Sequence, residues 1–495
     1  MNILLINPSC GFNAMSQAAP LGLLSIATYL KQRGYHVRVY DRNVDRTPLK
    51  KVMRDFSPDI AGVSAAILTQ AHDSLAVSRR LRAAGIPVVW GGPSASAEPE
   101  MILLEGAADY VVIGEGEITL HELVQALEHK SDIAQVKDIA YLDKTGAICR
   151  TPQRDFADLA DFPVIDWSFV NPRHYLNPSV FCAKMAWLYC SKGCPGRCAF
   201  CYNPVFNRCT YRKRPNEYVV REIEELATKH GMGGVCFADD MLGANKRDLY
   251  DLCDRIRDLK LDLTWGCQTR LCHLSREDLQ YMYDAGCRLL YYGLESGSPE
   301  MLKRMRKGTD LEKMKMELDF CREIGIITFG SFIIGLPDET EEQLRETVRL
   351  MLHPGLDMFQ VFMFIPIPGT EFYRDLEESG RLVPYQTLRE YGRYVMIGGR
   401  ANNYSNVPTR DLRVLQSFFL WRTVFSKNAA KVSSRQSFAR EASIGVLRGI
   451  FRQGFFGAIK YAFAAARRFL TILWYRFAYP GILRKYGLKQ SETAK

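Results

Sequence analysis

Residues 190–202 read Cys190-Ser191-Lys192-Gly193-Cys194-Pro195-Gly196-Arg197-Cys198-Ala199-Phe200-Cys201-Tyr202 and hold four of the fourteen cysteines of the chain. Thiolates are soft ligands that suit iron–sulfur clusters and zinc. Three of them spaced C-x3-C-x2-C can wrap a loop around one face of a [4Fe–4S] cubane and leave one iron open. A structural zinc wants four ligands, and Cys190 can supply a fourth, so the count of cysteines leaves both metals open. Fourteen cysteines in 495 residues are too sparse for a disulfide framework. The segment Met1-Asn2-Ile3-Leu4-Leu5-Ile6-Asn7 has neither a charged leader nor a cleavage site and reads as a first strand. The expectation is an uncleaved cytoplasmic protein whose clustered thiols bind metal.

Outward from the cysteines, strand and helix alternate in about six units between residues 187 and 368. The strands are expected at 187–190, 234–237, 264–268, 289–293, 327–334 and 359–364. Six such units close only a partial barrel, since a full one needs eight. The same alternation fills residues 1–130, with strands at 2–7, 36–41, 59–65, 87–92 and 110–114 and amphipathic segments between them. That pattern predicts a parallel, doubly wound α/β sheet. Ligands of such sheets sit at the carboxyl ends of strands, where glycine lets backbone approach closely. Here those ends carry Ser64, Gly91-Gly92-Pro93-Ser94 and Gly114-Glu115-Gly116-Glu117. A connector with a hairpin around residues 143–146 is expected at 131–182, and a helical region beyond residue 400. The expected division is thus 1–130, 131–182, 183–400 and 401–495.

Composition is that of a globular protein, with 47% hydrophobic and 24% charged residues. No run of about 18 apolar residues occurs, which excludes a plain transmembrane helix. The net charge of +10 is uneven. Residues 426–495 hold six Lys and eight Arg against Glu441 and Glu492, net +12, so the rest of the chain carries −2.

The loop Gly193-Cys194-Pro195-x-x-Cys198-x-Phe200-Cys201 resembles the cluster loop of the radical S-adenosylmethionine enzymes, and four further blocks follow in that family's order. They are Phe237-Ala238-Asp239-Asp240, Gly293-Leu294-Glu295-Ser296-Gly297, the segment from Gly330 through Gly335 to Glu339, and Pro366-Ile367-Pro368-Gly369-Thr370. The resemblance implies that Cys194, Cys198 and Cys201 hold a [4Fe–4S] cluster whose open iron chelates S-adenosylmethionine. An electron from the cluster then cleaves the cofactor's C5′–S bond, and the 5′-deoxyadenosyl radical takes hydrogen from an unactivated carbon. The electron comes from a flavodoxin- or ferredoxin-type donor. The resemblance also gives Phe200, Tyr202, Asp239, Asp240, Arg270, Glu295, Ser296 and Gly335 to the S-adenosylmethionine site. Some of the motif residues have a plainer reading beside it. Asp239 and Asp240 can cap the next segment, Arg270 can form a wall salt bridge, and Cys190 can be a buried strand cysteine.

Placed ahead of such a core, residues 1–130 resemble the Rossmann-like cobalamin-binding module of a large class of these enzymes. The matching blocks are Asn7-Pro8, Gly62-Val63-Ser64, Gly91-Gly92-Pro93 and Gly114-Glu115-Gly116-Glu117. The resemblance implies that Ser64, Gly91, Gly92, Pro93, Gly114, Glu115 and Gly116 bind cobalamin. One departure matters. Cobalamin domains that replace the lower axial base use Asp-x-His-x-x-Gly, whereas this chain has Asp41-Arg42-Asn43-Val44-Asp45-Arg46. No histidine of that loop can ligate cobalt.

Residues 445–487 interleave aromatic and basic residues, among them Phe451, Trp474, Arg448 and Lys460. The favoured reading is a helix lying on the inner face of the membrane. A helical cap on the open barrel and a surface for single-stranded nucleic acid are the alternatives. The expectation for the whole chain is a cobalamin-dependent radical enzyme, a C-methyltransferase acting on an unactivated carbon of a small hydrophobic intermediate. Cyclase or rearrangement chemistry without methyl transfer is the second reading, and a non-catalytic metal- or RNA-binding module the third. No catalytic base is legible.

Overall fold

The computed structural model describes residues 1–10, 18–65, 70–391, 402–424, 470, 474 and 478–488. Two sheets organise them. The first is built from β1 (Asn2–Asn7), β2 (His36–Asp41), β3 (Ile60–Ser64), β4 (Val88–Gly91), β5 (Tyr110–Val112), β6 (Ile139–Leu142) and β7 (Ile148–Arg150), in the order β2-β1-β3-β4-β5-β6-β7. The first five are parallel and the last two antiparallel. Strand β1 is an unbroken apolar run because helices cover both faces of the sheet. Ile3 and Leu5 join the core on one face, Leu4 and Ile6 a separate core on the other.

The hairpin expected in the connector therefore belongs to the first sheet. Its turn is closed by Asp143, whose Oδ1 accepts from Thr145 N at 2.8 Å and Ala147 N at 2.9 Å. By pairing antiparallel to β5 it carries the sheet past residue 130.

The second sheet holds β8 (Met185–Leu188), β11 (Gly234–Phe237), β12 (Thr264–Thr269), β13 (Cys287–Glu295), β14 (Ile327–Ile334) and β15 (Met358–Met363), all parallel and neighbouring in chain order. Between β8 and β11 a two-stranded antiparallel ribbon intervenes, β9 (Ser191–Lys192) with β10 (Arg212–Lys213). Helices Arg276–Asp284 and Glu341–Met351 begin in capping boxes, Ser275 with Asp278 and Thr340 with Gln343. Helix Thr409–Val424 covers the last strand, and Gln416 Nε2 donates to Val361 O at 2.9 Å. Trp187, Tyr291 and Phe329 meet inside the half-barrel, with ring centroids 6.1 and 4.9 Å apart.

Residues 425–469, 471–473, 475–477 and 489–495 of the basic tail lie outside the described residues, but residues 478–488 are docked. Leu483, Tyr486 and Leu488 are buried in the core, and Lys485 pairs with Glu341 and, at 3.0 Å, with Asp411. For this stretch the structure gives a cap on the barrel in place of a free basic face. Among the described residues, no helix is long and apolar enough to cross a membrane.

Candidate functional site

In a 2-1-3-4-5 sheet the connections reverse direction between the first and third strands, which opens a crevice at their carboxyl ends. A cavity of about 450 Å³ lies there, walled by Asn7 of β1 and Ser64 of β3. All seven residues expected at the cobalamin site line it, from Ser64 through Gly91, Gly92 and Pro93 to Gly114, Glu115 and Gly116. Gly92 has φ 102° and ψ 176°, a conformation only glycine adopts readily. A Cβ there would lie 3.3 Å from the Ala65 carbonyl. The floor is thus bare backbone, suited to a large flat ligand resting on the strand ends. The Asp41 carboxylate is engaged elsewhere, accepting from Tyr175 OH and from Asn43 N, both at 2.9 Å.

The opposite wall comes from the ribbon β9–β10 and the loops beside the second sheet: Tyr189, Ser191, Lys192, Tyr202 and Asp240 line the same cavity. Tyr202 follows the last cysteine of the loop. Its hydroxyl donates to Asp240 Oδ1 at 2.8 Å, while Asp240 Oδ2 accepts from Gly193 N at 3.0 Å and Asn207 Nδ2 at 3.2 Å. Asp240 therefore staples both ends of the cysteine loop. Asp239 is wholly buried and holds the Cys190 N–H at 3.1 Å and the Ser191 hydroxyl. Burial pushes its carboxyl up to about 6. Cys190 is also buried, and its thiol is pushed far up by that burial.

Cys194, Cys198 and Cys201 are each partly exposed. A Cβ on Gly196 would stand 3.3 Å from Cys194 Sγ and 3.9 Å from Cys198 Sγ, so glycine keeps the space between two thiols clear. Among the described residues, no group of three His, Cys, Asp or Glu side chains converges as a single ion requires. Burial raises the Cys198 thiol, and Lys307 and Arg270 oppose that rise. Burial pushes Cys201 up to about 12, against the Asn203 N–H, which donates to its sulfur at 3.4 Å.

At the end of β13 the strand bulges, and Glu295 takes a positive φ of 63°. The bulge turns the Glu295 side chain away from the register of the strand. Its Oε1 accepts from Lys307 Nζ at 3.0 Å. Arg270 donates to the Lys307 carbonyl and lies 3.4 Å from where a Gly196 Cβ would be. Ser296, by contrast, is fully buried and bonds Thr347 Oγ1 at 3.0 Å. Phe200 packs among Ala199, Met305 and Phe372. Gly335 N donates to Glu339 Oε2 at 2.7 Å. Sequence reading missed Lys307, Lys192 and Arg212, whose only signal was their sign.

This combination defines a class: a radical S-adenosylmethionine enzyme with a cobalamin-binding domain ahead of its half-barrel. The family model of the Radical SAM superfamily matches residues 188–351 and that of the B12 binding domain residues 11–124, and the chain belongs to the family that joins the two. Its cofactors are a [4Fe–4S] cluster, S-adenosylmethionine and cobalamin. The chain is 28% identical over 361 residues to an uncharacterized methyltransferase of Pyrococcus horikoshii, covering 72% of this chain and 77% of that protein. It is 26% identical over 404 residues to the anaerobic magnesium-protoporphyrin IX monomethyl ester cyclase of Rubrivivax gelatinosus, covering 78% and 72%. The fold matches that of the radical S-adenosylmethionine methyltransferase TsrM from Kitasatospora setae, solved with cobalamin and a [4Fe–4S] cluster bound. There the TM-score is 0.69 at 20% identity, over 90% of this chain and 99% of that one. It also matches the cobalamin-dependent radical enzyme OxsB, with TM-score 0.70 at 16% identity, over 97% and 73%.

Proposed function

We propose that the chain is a C-methyltransferase acting on an unactivated carbon of a small, hydrophobic biosynthetic intermediate. The observation that carries this reading is the shared cavity, in which the strand ends of the first sheet face Tyr202 and Asp240 of the cysteine-loop wall. Bound together, the three cofactors supply radical hydrogen abstraction and a transferable methyl group. Cys194, Cys198 and Cys201 hold the cluster in this reading. Arg270 and Lys307 set positive charge beside it for a carboxylate, and Glu295 offers an acceptor to a ribose. Asp240 and Tyr202 form the partition between the two cofactor sites. Gly91, Gly92 and Gly114 let the corrin approach backbone, while Trp187, Tyr291 and Phe329 give the barrel interior an apolar floor that excludes water.

A flavodoxin- or ferredoxin-type protein delivers the electron. A cytoplasmic location belongs to the same proposal, with membrane-surface contact through the part of 445–487 that precedes the docked residues 478–488, and flotation with anionic vesicles tests it. The main test is anaerobic reconstitution with iron, sulfide and cobalamin, followed by S-adenosylmethionine, a reductant and candidate hydrophobic substrates. Methyl transfer yields both 5′-deoxyadenosine and S-adenosylhomocysteine, and Cys198→Ala abolishes the first. Three cyclases among the relatives favour a second reading, ring formation without methyl transfer. That chemistry yields 5′-deoxyadenosine with no S-adenosylhomocysteine.

A further inference from the structure

Lys192 and Arg212 stand directly opposite each other in the ribbon β9–β10. Like charges in that position weaken a strand pair, and a ribbon this short has little else to hold it. Lys192 also lies two residues ahead of Cys194, so whatever fixes the ribbon fixes the start of the cysteine loop. The counter-charge comes from the first sheet's domain. Arg212 donates twice to Glu115, at 2.8 and 2.7 Å. Lys192 Nζ lies 3.1 Å from Glu115 Oε1 and 3.1 Å from Glu117 Oε1. Glu117 is anchored in turn by the Ser25 hydroxyl at 2.7 Å.

These four charges are largely withdrawn from water, with side-chain exposures of 4% for Glu117, 13% for Glu115 and Arg212, and 24% for Lys192. The ring of Phe156 covers Arg212 at 4.0 Å. Two carboxylates and two cations balance, and removing one member strands another where burial makes an unpaired charge costly. Glu115, Glu117 and Lys192 also line the cavity. A single charged cluster thus touches the ligand cavity with one side and the cysteine loop with the other.

We infer that Lys192 is a positioning residue that couples occupancy of the cavity to the geometry of the Cys194–Cys198–Cys201 loop, with Glu115 and Glu117 as its holders. This rests on reading the cavity as the cobalamin site and the loop as the cluster site. A ligand entering the cavity meets the carboxylates and the ammonium and shifts the balance among them. The ribbon moves with Lys192, and the first cluster ligand moves with the ribbon.

The full chain, reconstituted anaerobically with iron and sulfide, tests this without any substrate. The electron paramagnetic resonance spectrum of the reduced cluster is recorded without and with methylcobalamin, which has no unpaired electron. Uptake is measured from the visible absorption retained on the protein. In wild type and Lys192→Arg the g-values shift on uptake, whereas Lys192→Met and Glu117→Gln, given enough methylcobalamin to match the uptake of wild type, show no shift. A second measurement covers a variant that loads no cluster. On the cofactor-free chain, the Lys192→Met/Glu117→Gln double variant loses no more in melting temperature than the worse single variant, because the two act on one bridge. A Lys192→Met cluster that shifts as wild type does, or melting losses that simply add, overturns the inference alone. Wild-type protein that takes up neither cluster nor methylcobalamin overturns the functional reading, and the inference with it.

Discussion

Asp239 and Asp240 are neighbours in sequence with separate duties. Asp239 is enclosed and holds the backbone where β8 passes into the ribbon, while Asp240 faces the cavity and binds Tyr202. No property of two adjacent aspartates distinguishes them before the chain folds. Glu339 shows the same dependence on enclosure. Its Oε1 has no hydrogen-bond partner among the described residues, and burial pushes its carboxyl up to about 8 from 4.5. Between those values the native chain keeps a proton that the unfolded chain has released, so stability falls as pH rises through that window. Glu339→Gln removes the titration. Urea unfolding at pH 5 and pH 8 is expected to show the variant gaining on wild type at the higher pH, by on the order of 2 kcal/mol.

At the scale of elements, the strand ends do the work. Gly92 joins β4 to the short helix Pro93–Ala97 in a conformation that other residues enter only with strain. Gly92→Ala is expected to cost about 1–3 kcal/mol and to abolish cobalamin retention, read from the melting temperature and from absorbance after gel filtration. The ribbon β9–β10 was not legible in advance, because two-residue strands carry no periodicity and its pairing depends on Glu115 and Glu117 from 75 or more residues upstream. The strands of both sheets were legible, since buried parallel strands read as short β-branched and apolar runs bounded by glycine. Expected and observed bounds coincide at β1, β2, β11 and β14.

Across the whole molecule, one apolar core runs from Ile3 and Leu24 of the first domain through Ile165, Trp167 and Tyr175 to the barrel. The linker is pinned by charge as well. Glu222 accepts the Ile165 N–H at 3.0 Å and pairs with Arg214, both carboxylate and guanidinium being almost fully enclosed. Breaking such a pair strands a buried charge. Glu222→Ala is expected to destabilise the chain by about 3–5 kcal/mol in urea unfolding and to loosen the linker, seen as faster proteolysis between residues 150 and 185. The docked segment 478–488 adds a third tie through Lys485, Asp411 and Glu341. Removing residues 478–495 is expected to lower the melting temperature, because Leu483, Tyr486 and Leu488 leave the core.

What the sequence determined by itself was local. Cysteine spacing, glycine at strand ends and the alternation of strand with helix follow from the reach of the chain and the periods of its backbone; they mark both sheets and the metal-binding loop, and the resemblance that loop carries points to three of its four thiols. What only the tertiary structure decided were the pairings between distant residues. It joined the hairpin at residues 139–150 to the first sheet, turned Ser296 inward to Thr347 and gave Glu115 to Arg212. It also set the two sheets around one cavity. A carboxylate's partner is fixed by distance in space and by exclusion of water, and neither is written in the neighbours along the chain.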